Sequence, residues 1–428
     1  VVFLQRANAA ADGKQPLDET IKKYNMIKKI VITNFYSFGE AVIPLHPETN
    51  ILIGINGSGK SNFLKAIRLL KEGVDGVGLK RHILDNLGGF DNIYFKGYSN
   101  GNPTNKISIE YTIDGSSITA GKYGFKFTED VIYTITLIKS PSYQNYYIVE
   151  KLESKRGYLY LDFKNGEGVL NEKVEEGQKP KQSLIKYTDF DPQELVLKEV
   201  SDTDRYNAIT TIKKAIRDIF VYDYFDTTPK SNIRKPMLPT SEKRLFPDGT
   251  NLPQILNTIK INYKANYKKI ADMLNEVNPN FSGFDFNFIG GNIELMLEEK
   301  GLNSSVHVSN ISDGTLRYLC LLSILFNPDR GRLVCIDEPE VGLHPDMIVN
   351  IANAIKEASE ESTLIVSTHS DNLLNYFEVE NLKVFEKNEF NSSEINSYTS
   401  AQFAEWYEEF SIGQMWKQGD FGGVRYGN

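Results

Sequence analysis

Short apolar runs that stop abruptly at glycine or at polar residues recur along the chain. Asn50-Ile51-Leu52-Ile53, Leu333-Val334-Cys335-Ile336 and Leu364-Ile365-Val366 read as buried strands. A second pattern fills about 106–170. Ile107-Ser108-Ile109-Glu110-Tyr111-Thr112-Ile113 and 131–138 alternate apolar with polar residues between Gly, Ser, Asn and Pro turns, which predicts an antiparallel sheet. Ile30-Val31-Ile32-Thr33 predicts an earlier strand, and 87–95 a turn followed by a strand. Near Asn171 the pattern changes to a charged, loop-like stretch and then to helical spacing. Ile209, Ile212, Ile216 and Ile219 predict a helix over 204–220, and Leu252-Pro253 opens another with proline near its start. The helical pattern continues over 271–277 and lacks sustained heptads, so no long coiled-coil arm is expected. Strands return at 284–288 and 293–297, followed by an apolar helix over 318–326.

Each of the three buried runs ends in residues suited to chemistry. After Ile53 comes Gly54-Ile55-Asn56-Gly57-Ser58-Gly59-Lys60-Ser61, which fits the phosphate-binding G-x-x-x-x-G-K-[ST] pattern. A helix over 61–71 would point its N-terminus at the phosphates. The glycines let backbone N–H groups approach, Lys60 adds a charge, and the Ser61 hydroxyl suits Mg2+. The run 333–336 ends in Asp337-Glu338-Pro339: Asp337 would organise Mg2+, and Glu338 would orient or deprotonate the attacking water. The run 364–366 ends in Ser367-Thr368-His369-Ser370, which places His369 to contact the γ-phosphate or the water. Ser309-Asn310-Ile311-Ser312-Asp313-Gly314 opens the apolar helix as a further anion-binding end. Phe35, Tyr36 and Phe38 precede the phosphate loop, either to stack on adenine or simply to pack.

Composition narrows the rest. The 428 residues, 40% hydrophobic and 24% charged, describe a globular chain of two or three lobes. No apolar run is long enough for a transmembrane helix, and a secretory signal peptide is rejected, so a cytoplasmic protein is expected. The net charge of −8 argues against a dominant basic surface and leaves a local nucleic-acid groove open. Cys320 and Cys335 lie in apolar runs and read as buried hydrophobes in a reducing compartment. The histidines show no metal-ligand spacing.

These motifs occur in the order of the ABC-type ATPases. Gly342-Leu343-His344-Pro345, Asn34-Phe35, Asn62, and the tail Gly413-Gln414-Met415-Trp416 with Gly419-Asp420-Phe421-Gly422-Gly423 add to the resemblance. The chain resembles the RecF/SMC-like branch, and within it the bacterial stand-alone, OLD-like "predicted ATPases" of the AAA group found in anti-phage systems. The resemblance spans roughly 26–428. It implies an α/β fold: an ABC-type P-loop ATPase head with a mixed, largely parallel core sheet, an antiparallel β lobe and a mainly helical insertion. The expected organisation is an extension over 1–25 (or an arm for assembly), lobe I over 26–170, the insertion over 171–280 and lobe II over 281–428. The resemblance also implies ATP and Mg2+ as cofactors. Gly54, Asn56, Gly57, Ser58, Gly59, Lys60, Ser61 and Asn62 would bind nucleotide, with Ser61 and Asp337 on the metal and Lys60, Glu338 and His369 in catalysis.

In that family two heads sandwich two ATPs. Ser312 and Gly314 would then reach the nucleotide of a partner copy, residues 341–344 would line the interface, and Asp313 stands where the signature usually has glycine. Arg317 either couples the signature helix to the facing head or forms a surface salt bridge. The family's Q-loop glutamine has no clear counterpart, Gln144 and Gln182 being poor candidates. The expected function is ATP hydrolysis driving a switch or scaffold in anti-phage defence, with self-association and a separate nuclease or toxin as effector. The alternative is a RecF-like DNA-repair ATPase acting directly on DNA.

Overall fold

The computed structural model describes residues 26–97, 105–118, 125–141, 145–172, 183–403 and 410–422. The expectations for 1–25 and for Gln144 and Gln182 lie outside them. Among the described residues the strands are β1 (Ile27–Phe35), β2 (Phe38–Pro44), β3 (Thr49–Gly54), β4 (Lys106–Ile113), β5 (Val131–Ser140), β6 (Asn145–Ser154), β7 (Leu159–Lys164), β8 (Glu167–Asn171), β9 (Leu184–Tyr187), β10 (Ile219–Tyr222), β11 (Phe281–Ile289), β12 (Asn292–Glu299), β13 (Val306–His307), β14 (Leu333–Asp337), β15 (Thr363–Ser367), β16 (Leu382–Lys387) and β17 (Ser393–Asn396).

An eight-stranded antiparallel sheet runs in the order β2-β1-β4-β5-β6-β7-β8-β9. A six-stranded sheet runs β10-β14-β15-β3-β16-β17; its first five strands are mutually parallel and β17 is antiparallel to β16. A small antiparallel sheet, β11-β12-β13, completes the set. The sequence pattern explains both large sheets. On β4 the alternating residues Ile107, Ile109, Tyr111 and Ile113 are buried and the intervening ones are not. On β14 every apolar residue is buried, with Leu333 and Cys335 in one core and Val334 and Ile336 in the other. Covering both faces is what a parallel sheet requires.

The helix Lys60–Val74 lies between the two large sheets. Phe63, Leu64, Ile67 and Leu70 join the core shared with β1, β4 and β5, and the Tyr111 hydroxyl donates to Ala66 O at 2.6 Å. The opposite face of the six-stranded sheet packs against helices Leu252–Asn262, Asp313–Leu325 and Pro345–Ala358. Each buried Leu, Ile or Phe contributes about 1.5–3 kcal/mol. Exposed ion pairs contribute about 0–1 kcal/mol, so the apolar layers hold the architecture. No helix among the described residues is long and apolar enough to cross a membrane.

Three elements differ from the sequence expectation. The expected helix over 204–220 ends at Arg217, and Ile219 begins β10 beside β14. A four-residue strand directly after a helix continues the helical isoleucine spacing, so periodicity cannot mark the change. The segment 171–280 is accordingly not a separate helical lobe. It supplies β9 to the antiparallel sheet and β10 to the parallel one, and its helices are shared between both cores. The strand expected within 87–95 is a short helix, Phe90–Ile93, followed by a single bridge between Phe35 and Tyr94.

One buried carboxylate ties the antiparallel sheet to the chain leading into β10. Glu150 on β6 accepts from the Tyr133 hydroxyl (2.7 Å) and from the N–H groups of Val196 (2.6 Å) and Leu197 (3.1 Å). Burial, outweighing these bonds, pushes its carboxyl from 4.5 up to about 7. The fold therefore favours the protonated form. The stabilisation is complete below the unfolded value and is lost as pH rises through about 7. Urea midpoints between pH 4.5 and 8 should fall more steeply for the wild type than for Glu150→Gln; parallel curves would refute this.

Candidate functional site

The parallel order of β10, β14, β15 and β3 delivers their C-terminal ends to one edge of the sheet, where open α/β sheets place ligands. The phosphate loop leaves β3 there. Gly54 has φ 142° and Gly59 φ 118°; a Cβ at the first would collide with Phe385 O and at the second with Ser393 Oγ. The loop is thus braced from below by β16 and β17. Ser393 Oγ donates to Ser58 O at 2.5 Å and lies 2.9 Å from Ser37 Oγ, and Asn62 Nδ2 donates to the same Ser37 Oγ at 3.0 Å. Asn56 and Gly57 form the exposed tip.

Lys60 is 5% exposed, and its ammonium donates to two carbonyls, Gly54 O at 2.8 Å and Ile55 O at 3.3 Å. Burial lowers its pKa to about 8 against the pull of Glu338, Asp337 and Glu340. Among the described residues the Ser58 hydroxyl is buried without a partner, and no side chain caps the N-terminus of helix Lys60–Val74. A buried cation, an orphan hydroxyl and uncapped N–H groups converge on one loop. This set of donors fits a polyphosphate.

The carboxylates stand opposite. Ser61 Oγ lies 3.3 Å from Asp337 Oδ2, and the other Asp337 oxygen accepts from Ser367 Oγ. A hydroxyl beside a carboxylate is the oxygen set that a hard divalent cation takes. Glu338 has φ 49°, a left-handed backbone rare for a side-chain-bearing residue. Its N–H donates to both O and Oγ of Ser367 at 3.1 Å, which fixes the turn. The His369 imidazole Nε2 is 3.6 Å from Glu338 Oε1. Burial and then Lys60 hold His369 below its ordinary 6.5, which favours the neutral imidazole.

The signature residues lie elsewhere. Ser312 caps helix Asp313–Leu325, its Oγ accepting from Thr315 N at 3.1 Å, and a Cβ on Gly314 would press on Gly342 O. Ser312 is exposed. Among the described residues no hydrogen bond or ion pair joins 309–317 to 54–62. Arg317 makes no ion pair within that set. It donates to Phe225 O (3.3 Å) and Val341 O (3.4 Å) and covers the Tyr224 ring at 3.9 Å. Phe35 and Phe38 are fully buried packing residues. Tyr36 instead lines a cavity of about 300 Å³ with Ser37, Asn62, Asn92 and Lys387, and the Lys65 ammonium sits 4.4 Å over its ring.

Several neighbours of the site are not evident from the sequence. Glu340 is half-buried, with Oε1 accepting from Thr368 Oγ1 and His369 N, each at 2.7 Å, so it sets the tip of β15. The third acid of D-E-P-E is the available signal. Asp223, at the end of β10, is held bidentately by Arg68 of the loop's helix at 2.6 and 2.7 Å. Ser393 carries no signal, because it lies far along the chain from the loop it braces.

A family model described as "AAA domain, putative AbiEii toxin, Type IV TA system" matches residues 49–375. The chain belongs to this family. It is an AAA-domain ATPase. The ATPase is 25% identical over 334 residues to an "ATP/GTP phosphatase" of Helicobacter pylori, covering 74% of this chain and 77% of that protein. Its fold is that of SMC heads. It is similar to an SMC head bound to the C-terminal winged-helix domain of ScpA (TM-score 0.54, 15% identity, 88% of this chain and 99% of that one). It is also similar to an SMC head with an extended coiled coil bound to the C-terminal domain of ScpA from Pyrococcus furiosus (TM-score 0.53, 13% identity, 90% and 99%).

The site makes a separable prediction for its two halves. Lys60→Met should weaken ATP binding, measured calorimetrically, with or without Mg2+. Asp337→Asn should remove only the increment that Mg2+ adds, and should lower kcat by about 10²–10³-fold. Equal binding losses in both variants under both conditions would contradict the division.

Proposed function

We propose that two copies of this ATPase close face to face on two molecules of ATP and Mg2+, and that the cycle acts as a switch or scaffold for a separate effector, a nuclease or toxin, in bacterial anti-phage defence. One observation carries the closure. The tip of the phosphate loop (Asn56 and Gly57) and the start of the signature helix (Ser312 and Asp313) are both exposed, yet among the described residues no bond joins the two segments within the chain. A second copy supplies Ser312 and Gly314 to the loop of the first, completing each site. The family's description as a putative toxin of type IV toxin–antitoxin systems supports the defence setting. The solved SMC heads, each bound to a domain of ScpA, support a separate protein partner.

In this reading residues 54–62 hold the phosphates. Lys60 donates to them from a poorly solvated position, where its charge acts strongly. Ser61 and Asp337 hold Mg2+, which when bound neutralises phosphate charge. Glu338, aimed by its left-handed backbone, orients or deprotonates the attacking water. Neutral His369, beside Glu338, keeps one ring nitrogen able to accept and one able to donate. The cavity beside Tyr36 receives the base, with the phenol ring as the stacking surface.

Light scattering tests closure directly. Glu338→Gln should bind ATP–Mg2+ without turning it over and should double in mass, and adding Lys60→Met should abolish the doubling. A Glu338→Gln chain that stays monomeric while saturated with ATP would sink the proposal.

A further inference from the structure

A buried arginine holds the signature loop from inside. Arg234 lies in the segment after β10, and its side chain is 6% exposed. Its Nε donates to Thr227 O at 2.8 Å. Its Nη1 donates to Val308 O at 2.8 Å, Ser309 O at 3.2 Å and Ile311 O at 2.8 Å. Its Nη2 meets Asp313 Oδ1 at 2.6 Å. One guanidinium therefore ties down three carbonyls just before Ser312 and the carboxylate just after it. A planar fork of five donors can do this; an ammonium on a flexible stem cannot reproduce it.

The anchor itself is fixed. The backbone N–H groups of Ile233 and Arg234 turn back onto Ser231, and Met237 exchanges both backbone bonds with Ile293 of β12. The 308–311 turn thus has its carbonyls directed at a rigid cation in the interior. Ser312 and the first turn of helix Asp313–Leu325 remain at the surface. A hydroxyl that must meet a nucleotide held by another chain takes its direction from the loop that carries it.

We propose that Arg234 is a positioning residue for hydrolysis, setting the aim of Ser312 and the adjacent N–H groups toward the nucleotide of a partner copy. This rests on the closure proposed above. The bonds of Arg234 go to the signature loop and to Thr227, not to the phosphate loop, so the defect of a variant belongs to the partner's site. Arg234→Met should leave ATP binding to the isolated chain unchanged and lower kcat by about 10²-fold. Asp313→Asn, which spares the buried carbonyl bonds and so guards against misfolding, should lower kcat by about tenfold and add little to Arg234→Met.

The deciding experiment mixes chains that are each strongly impaired. Lys60→Met lacks a working loop but has an intact signature, and Arg234→Met is the reverse. Their mixture contains one composite site with both halves intact, and should regain hydrolysis well above either alone. A mixture of Lys60→Met with Ser312→Ala is the control for closure. Recovery in both mixtures supports the assignment. Recovery with Ser312→Ala but not with Arg234→Met overturns the role of Arg234 while closure stands. Recovery in neither removes closure, and the positioning role with it.

Discussion

The buried ammonium of Lys60 is the constraint around which the edge of the sheet is arranged. An isolated charge in so dry a place costs several kcal/mol. Two loop carbonyls and the field of Glu338, Asp337 and Glu340 offset that cost only partly, for the pKa is still driven down to about 8. A polyphosphate would supply the missing negative charge at the point where the orphan Ser58 hydroxyl and the uncapped helix end also lack partners. The loop is held ready for such a ligand by bonds that do not involve it, from Ser393, Ser37 and Asn62. Preorganisation of this kind makes donors effective, because no reorganisation is needed when charge arrives.

The layered architecture follows from the same edge. Five parallel strands can present their C-terminal ends together only if both faces of the sheet are covered, and the two apolar cores provide this cover. Arg68 and Arg317 then link the layers near the edge. Arg68 ties the loop's helix to Asp223, and the next two residues, Tyr224 and Phe225, meet Arg317 of the signature helix, which also reaches Val341. The elements that handle nucleotide and those that face a partner are thus joined through a short series of direct contacts.

The features legible in the sequence are local ones. The phosphate loop, Asp337, Glu338 and His369 announce themselves because each comes within a few residues of an apolar run, and the strand ends bring them together as the runs imply. The buried strands and the alternating sheet are legible for the same reason. The segment 171–280 looks like a helical lobe in sequence because β10 is short and continues the isoleucine spacing of the helix before it. Arg234, Ser393 and Asp223 are illegible because their partners are remote in sequence. An arginine between Ile233 and Lys235 looks like any surface arginine until the fold buries it against 308–313. Of the three aromatics before the loop, Phe35 and Phe38 are fully buried while Tyr36 lines a cavity, a distinction that spacing cannot make.

Division of each catalytic site between two chains is the central claim, and a structure of Glu338→Gln with ATP and Mg2+ tests it most directly. Two nucleotides are expected, each held by Lys60 and Ser61 of one copy and met by Ser312 of the other. A nucleotide enclosed within a single chain, with Ser312 left in solvent, would contradict it.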